Sequence, residues 1–273
     1  GMRVIKNNYE VNIMRKSANI AANAHIHAMK YTKADKYEYE IEGEILNQFF
    51  KNNARNPAYS SIVASGINSC TLHYIENNSK LKDGDLLLID AGCELESYAS
   101  DITRTYPVNG EFSSAQKEIY QLVLLAQKAA IEKVKEDNFF DDPHKEALKI
   151  IVNGLIDLDL LKSSKDEIYE KELYKKFFMH RTSHWLGLDV HDVGKYMTNT
   201  KKKTAVRLSK GNVLTIEPGC YIRPSSEVPK EFWGIGVRIE DDVLVTSNGY
   251  DVLSKNAPKE IGELEAIIGT LND

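Results

Sequence analysis

Three cysteines in 273 residues, Cys70, Cys93 and Cys220, are odd in number and widely spaced, so a disulfide framework is excluded. No Cys-x-x-Cys pair suggests a cysteine zinc knuckle either. The three read as reduced, buried thiols, which points to the cytoplasm. A basic excess is also missing. The chain has 35 Lys+Arg against 40 Asp+Glu, a formal net charge of -5, which argues against a nucleic-acid partner. No aliphatic run is longer than Leu86–Ile89, far short of the ~18 apolar residues of a membrane span. The opening residues Gly1-Met2-Arg3-Val4-Ile5-Lys6 lack the apolar core of a signal peptide. There is no Ser/Gly/Pro-rich linker and no low-complexity stretch. What remains is an ordinary globular composition, 42% hydrophobic and 27% charged, with too many apolar residues for disorder. We read residues 1–3 as a tag remnant and leader, and residues 4–273 as a single domain.

Apolar spacing of three and four predicts a helix from Tyr9 to Met29 and a second from about Glu38 to Asn52. Asn56-Pro57 ends helical character. Short apolar runs at Ser61–Gly66 and Leu86–Asp90 predict strands, with a turn at Lys82-Asp83-Gly84-Asp85. A third helix is predicted from Ser114 to Lys135, capped by Ser113 or Ser114, and a fourth after Asp142-Pro143, reaching Leu160. Lys162–Lys176 reads as a surface excursion. Strands resume at Val213–Glu217 and Gly236–Thr246, and Pro258–Leu271 reads as a last helix. The order is helices then strands, twice over, which favours α+β over alternating βαβ units.

Four carboxylates stand in apolar strand contexts: Asp90 ends Leu86–Ile89, Asp101 opens Asp101–Thr105, Glu217 ends Val213–Ile216 and Glu240 follows Gly236–Ile239. A reversal around Leu95-Glu96 would set Asp90 opposite Asp101 on a hairpin, sharing one face. Glu217 and Glu240 could pair in the same way across a longer connection. One such acid is an ordinary strand-end or turn residue. Four in a partly buried sheet are prohibitive without cations, and two divalent ions would match their charge. His180, His184 and His191 fall in a Gly-punctuated segment that reads as loop or strand, and His73 lies in a similar setting. No His-Glu-x-x-His zinc helix is present. His25, His27 and His144 lie in helical or polar stretches and read as structural.

These motifs resemble a known family. Ile89-Asp90-Ala91-Gly92, Asp101-Ile102-Thr103-Arg104-Thr105, His180 through Gly194, Thr215-Ile216-Glu217-Pro218-Gly219 and Gly236-Val237-Arg238-Ile239-Glu240-Asp241 look like the catalytic domain of aminopeptidase P and prolidase. Leu72-His73-Tyr74-Ile75-Glu76-Asn77 and Tyr98–Gly110 look like the aminopeptidase P branch. The likeness covers about residues 4–269. It implies an α+β pita-bread fold with pseudo-twofold halves and a curved, mainly antiparallel sheet. It implies two divalent ions, usually manganese, with cobalt or zinc also able to occupy such sites. Their ligands would be Asp90, Asp101, His184, Glu217 and Glu240, with Asp101 and Glu240 shared between the ions.

The activity implied is removal of an N-terminal residue that precedes proline, so the partners are peptides with proline at the second position. Glu217 would pass a water proton toward the leaving nitrogen. His73 and His191 would contact the scissile peptide and stabilise the oxyanion. His180 would line the proline side, and Arg238 and Tyr221 would support ligand and substrate. Alternatives within the fold are a dipeptide-only prolidase and a metal-free peptide-binding module; the latter should lack a ligand, and here none is missing. A methionine aminopeptidase fits the His-x-x-x-His-Trp segment poorly. Two departures stand out. Position 181 is Arg, where many relatives carry a small residue such as Gly. The family's usual N-terminal domain, which contributes to oligomerisation, is also expected to be absent, so a homo-oligomer is left open.

Overall fold

A computed structural model of the chain describes residues 2–199 and 204–271. The first helix, Asn8–Tyr31, starts where the Asn7 side chain accepts from the Tyr9 and Glu10 amides and Glu10 reaches back to the Asn7 amide. Its inner face is mostly small, with Ala18, Ala21, Ala22, Ala24 and Ala28 fully buried. That face lies close against the hairpin Cys93–Leu95 and Tyr98–Ala99. The second helix, Glu38–Lys51, buries Ile41, Ile45 and Phe49 against the first helix and the strand Ile62–Ser65.

Three antiparallel strands complete this half, in the order Ile62–Ser65, Leu86–Asp90, Thr103–Pro107. The second half repeats the plan. Helices Ser114–Ile131, capped by Ser113, and Asp142–Asp157 pack on each other. The strand Val213–Ile216 pairs with Asp241–Thr246, and Gly219–Ile222 pairs with Ile235–Arg238. These two ladders keep one register, broken only around Pro218, which has no amide proton to donate.

The halves meet edge to edge. The Glu240 amide donates to the Thr103 carbonyl at 3.1 Å, and Thr105 Oγ1 donates to the Arg238 carbonyl at 2.9 Å. One apolar cluster runs through both, from Ala21 and Ile41 through Ile89 to Val123, Ile151 and Val237.

Several expectations shift at their edges. The run Gly236–Thr246 is two strands rather than one, because Glu240 sits at the junction and faces the other half. The third helix stops at Ile131, and the last helix is only Ile261–Ile267. The surface excursion carries a short helix, Lys165–Glu170, that anchors itself through buried Ile168. All three cysteines are free and buried. Among the described residues, no helix is long and apolar enough to cross a membrane.

Candidate metal centre

Asp90 closes the strand Leu86–Asp90, where its registered partner is Thr103 and not Asp101. The hairpin turns at Glu96-Ser97, with φ of 49° and 69°. Two consecutive left-handed residues make the tight turn that suits strand twist. This turn lies one residue later than the expected Leu95-Glu96, and one residue at a turn moves the partner by two. Asp101 is therefore the diagonal neighbour of Asp90. They still share a face, since side chains alternate with period two. Gly92 lets the hairpin close, because a Cβ there would lie 1.7 Å from the Ser100 carbonyl oxygen.

In the other half, Ile216 registers with Asp241, so the next residues along, Glu217 and Glu240, face each other as expected. The segment carrying the histidines is extended and runs beside Val213–Ile216. The His184 carbonyl accepts from the Thr215 amide at 3.0 Å, and the Thr182 carbonyl accepts from the Glu217 amide at 2.8 Å.

The acids converge on one imidazole. His184 Nε2 lies 3.2 Å from Asp101, 3.7 Å from Glu217 and 4.0 Å from Glu240. Ligand atoms of Asp101, His184 and Glu240 all lie within 4.8 Å of one another. His184 Nδ1 is 3.1 Å from the Trp185 carbonyl, a contact it makes by donating its proton. That leaves Nε2 as the nitrogen turned to the carboxylates: it donates to Asp101 when protonated, and would give its lone pair to a metal ion that displaced that proton.

Protein compensates the charges here only in part, through Arg238 beside Asp90. Burial, then Asp101, Glu217 and Asp90, push the Glu240 carboxyl well above its ordinary range. Burial raises Glu217 to about 7 despite His184 and Arg238. Asp90 is raised by burial although Arg238 opposes it. Burial would lower the His184 imidazole, but Asp101 and Glu217 raise it to about 9. Every shift reports a demand for positive charge at one point. The donor set, four carboxylates and one imidazole, suits hard or borderline divalent ions.

A second layer aims these groups. Arg238 donates to Asp90 at 2.7 Å and to the Tyr221 hydroxyl at 3.0 Å. The Tyr221 hydroxyl, its lone pair used by Arg238, donates to His180 Nε2 at 2.8 Å, and His180 Nδ1 donates to the Arg181 carbonyl at 2.8 Å. This chain keeps His180 neutral, and burial with Arg238 lowers its pKa to about 4.

A cavity of about 520 Å³ opens over the acids. His73, His180, Arg181, His191, Arg238 and the five candidate ligands line it, with an apolar wall of Ile62, Leu72, Ile75 and Val190. The His191 ring packs edge-on to His184 at 4.4 Å. Tyr221 is placed differently from the expectation that it binds substrate. It is fully buried, is not among the lining residues, and touches the cavity only through His180 and Arg238. His25, His27 and His144 lie outside the cavity, bonded to the Ala91 carbonyl, Glu44 and Thr182.

Three contributors escaped the sequence reading. Tyr59 lies 2.7 Å from Asp90 and 2.6 Å from Asp101. One hydroxyl has one proton, so both contacts are satisfied together only with a further proton or a cation between the acids. No spacing signal marks Tyr59. Thr103 donates to Glu240 at 2.6 Å, and its place two residues after Asp101 could have put it on the same face. Asp242 accepts from the Asp101 amide at 3.1 Å.

The profile of metallopeptidase family M24 matches residues 12–247. The Xaa-Pro aminopeptidase of Haemophilus influenzae is 48% identical over 267 residues, covering 98% of this chain and 61% of the relative. That of Escherichia coli is 45% identical, covering 98% and 60%. The structure of Pseudomonas aeruginosa aminopeptidase PepP superposes with a TM-score of 0.95 at 48% identity, covering 97% of this chain and 60% of that one. The chain thus spans about 60% of the length of the relatives it matches. The architecture is the pseudo-twofold α+β pita-bread fold.

Proposed function

The chain belongs to metallopeptidase family M24, and from that premise we propose that residues 4–273 form the catalytic domain of a two-metal Xaa-Pro aminopeptidase. The observation that carries this reading is the convergence of Asp101, Glu217 and Glu240 on His184 Nε2 at the floor of a peptide-sized cavity. The relatives named Xaa-Pro aminopeptidase support the substrate class. A structure of the E. coli enzyme with the inhibitor Pro-Leu, 45% identical, supports it too.

Asp90, Asp101, His184, Glu217 and Glu240 would hold the two ions. The ions proposed are Mn²⁺, and the donor set also accepts Co²⁺ or Zn²⁺. When bound, such ions lower the pKa of a water to near neutrality and polarise a carbonyl. The protein's own groups do the rest. The apolar wall and His180 hold the proline ring and exclude water on that side. His73 and His191 stand over the scissile carbonyl and donate to its oxygen as it gains charge. Water adds to the carbonyl carbon, the bond to the proline nitrogen breaks, and Glu217 carries the water's proton to that nitrogen. Arg238 fixes Asp90, and Tyr59 and Thr103 fix Asp101 and Glu240, so the ligands need little reorganisation. The setting proposed is the cytoplasm, on the three free thiols, and self-association is left to measurement.

The test is release of the N-terminal residue from a matched Xaa-Pro dipeptide and Xaa-Pro-Xaa tripeptide by protein stripped with chelator and reloaded with Mn²⁺. Metal-dependent cleavage of the tripeptide is expected. Cleavage of the dipeptide alone would move the assignment to prolidase. Cleavage of neither by protein shown to hold metal would overturn the reading for this chain.

A further inference from the structure

Among the described residues, the cavity wall carries one exposed, permanent positive charge. Arg181 lines the cavity and is exposed. Arg238 also lines it, but is buried and committed to Asp90, Tyr221 and Thr103. The lining imidazoles do not supply such a charge on the proline side, where His180 is neutral and donates inward. Among the described residues, no carboxylate pairs with Arg181. Its backbone is nonetheless firmly mounted. Its carbonyl accepts from His180 Nδ1 at 2.8 Å. The next residue, Thr182, is fully buried, bonds His144 through its hydroxyl at 2.8 Å, and accepts from the Glu217 amide at 2.8 Å. The guanidinium is thus the adjustable tip of an otherwise rigid stretch, held beside His180.

A short peptide is a zwitterion, and an unpaired cation sorts its ends. It repels the N-terminal ammonium and attracts a carboxylate. With five donors in a planar fork, a guanidinium is the side chain best matched to a carboxylate.

We propose that Arg181 is a specificity-determining residue that pairs with a carboxylate of the substrate on the proline side of the scissile bond. The carboxylate is either the free C-terminus of a short peptide or an acidic side chain just after the proline. This rests on the aminopeptidase reading above and names the substrates that reading favours. It makes Arg181 a recognition group for short, anionic-tailed peptides, and it sets the direction in which a peptide lies along the cavity.

The experiment uses two matched substrate pairs with metal-loaded protein: Ala-Pro-Ala as free acid and as C-terminal amide, and Ala-Pro-Glu-amide against Ala-Pro-Gln-amide. The kcat/KM ratio within each pair is compared for the parent chain, Arg181→Gln and Arg181→Glu. A preference of roughly fivefold for the carboxylate member is expected in the parent, the size of one exposed charge pair, shrinking as salt is raised. It should vanish in Arg181→Gln and invert in Arg181→Glu. A response in the first pair alone assigns the C-terminus, and in the second alone the side chain. Ratios equal in the parent and in Arg181→Gln for both pairs would overturn the proposal. Calorimetric affinities for Pro-Ala and Pro-Ala-amide give a second readout independent of turnover. If no peptide is cleaved, the aminopeptidase reading fails, while an Arg181-dependent affinity difference still stands or falls by itself.

Discussion

Glu240 and Asp241 are consecutive, both buried, and live in opposite electrostatic worlds. Asp241 faces away from the cavity, where Arg104, reaching across from the other half, donates to it at 2.8 Å and Lys259 at 2.6 Å. Burial alone would raise its pKa, but these two cations hold it far below the ordinary carboxylate range. Glu240 faces the cavity, among Asp101, Glu217 and Asp90, and its pKa is driven well up. The strand's alternation sends one side chain to each environment. Asp241 has every charge it needs from protein, so its work is structural. Glu240 has a deficit that protein does not fill. Buried acid with a deficit is what identifies a site for cations; buried acid alone is not.

The sharpest way to break this comparison is to remove one charge from each member. Glu240→Gln or Asp101→Asn should cost more turnover than the roughly 100-fold that loss of a metal's outer partner costs. Bound metal should fall with it, read by elemental analysis. The metal-free variant should melt no lower than the metal-free parent, because a crowded negative charge has gone. Retained turnover with full metal content would sink the ligand assignment.

Asp241→Ala should do the reverse. It strands the fully buried Arg104 guanidinium, and removing one partner of a buried pair costs about 3–5 kcal/mol of stability. Denaturant midpoints measure this. If Asp241→Ala unfolds as late as the parent, the pair is not the structural anchor argued here.

Removing a group that touches only the substrate should fall between these extremes. His73→Ala and His191→Ala should each lower turnover roughly 10- to 100-fold while metal content stays at the parent's level. Metal loss in either would place that histidine among the ligands instead. His191 has its own support, since the next residue, Asp192, is buried and ion-paired to Arg3 and Lys6 of the leading segment.

The comparison also explains what the sequence could reveal. The helices were legible because burial on one face dictates an apolar period, and the strands because burial on both faces makes them short continuous apolar runs. The four acids were legible because carboxylates in apolar strand contexts are an expense that needs a reason, whereas His184 was singled out as a ligand only by the family resemblance. Asp90 opposite Asp101 was misread because register depends on a two-residue turn, and nothing in Leu95-Glu96-Ser97 says which pair turns. Glu240 and Arg238 were read as one strand because a junction between two ladders leaves no compositional mark. Tyr59 was invisible, since it reaches both acids from a loop and follows no period. Asp241 stood inside a quoted motif, yet its pairing with Arg104 spans 137 residues that only the fold brings together.

The histidines divide as the acids do, which gives the smallest and most easily measured prediction. His184 sits among uncompensated carboxylates and is raised, whereas His25 and His144 serve the scaffold. Burial lowers His25 to about 4, and burial with Arg181 and His180 lowers His144 to about 3. An unfolded imidazole takes its proton near pH 6.5. Between that value and the folded ones, the unfolded chain binds more protons than the native chain. Stability from these two residues is therefore full above pH 6.5 and lost as the pH falls toward 4. Each should cost roughly 1 kcal/mol one unit below the unfolded pKa. Urea midpoints of the parent and His144→Gln, measured from pH 7.5 to 5.5, isolate the effect, since all other titrating groups are common to both. The variant starts less stable for want of its Thr182 hydrogen bond, and the gap should narrow on acidification. Parallel curves would mean that His144 titrates alike in both states and that its burial costs its charged form nothing.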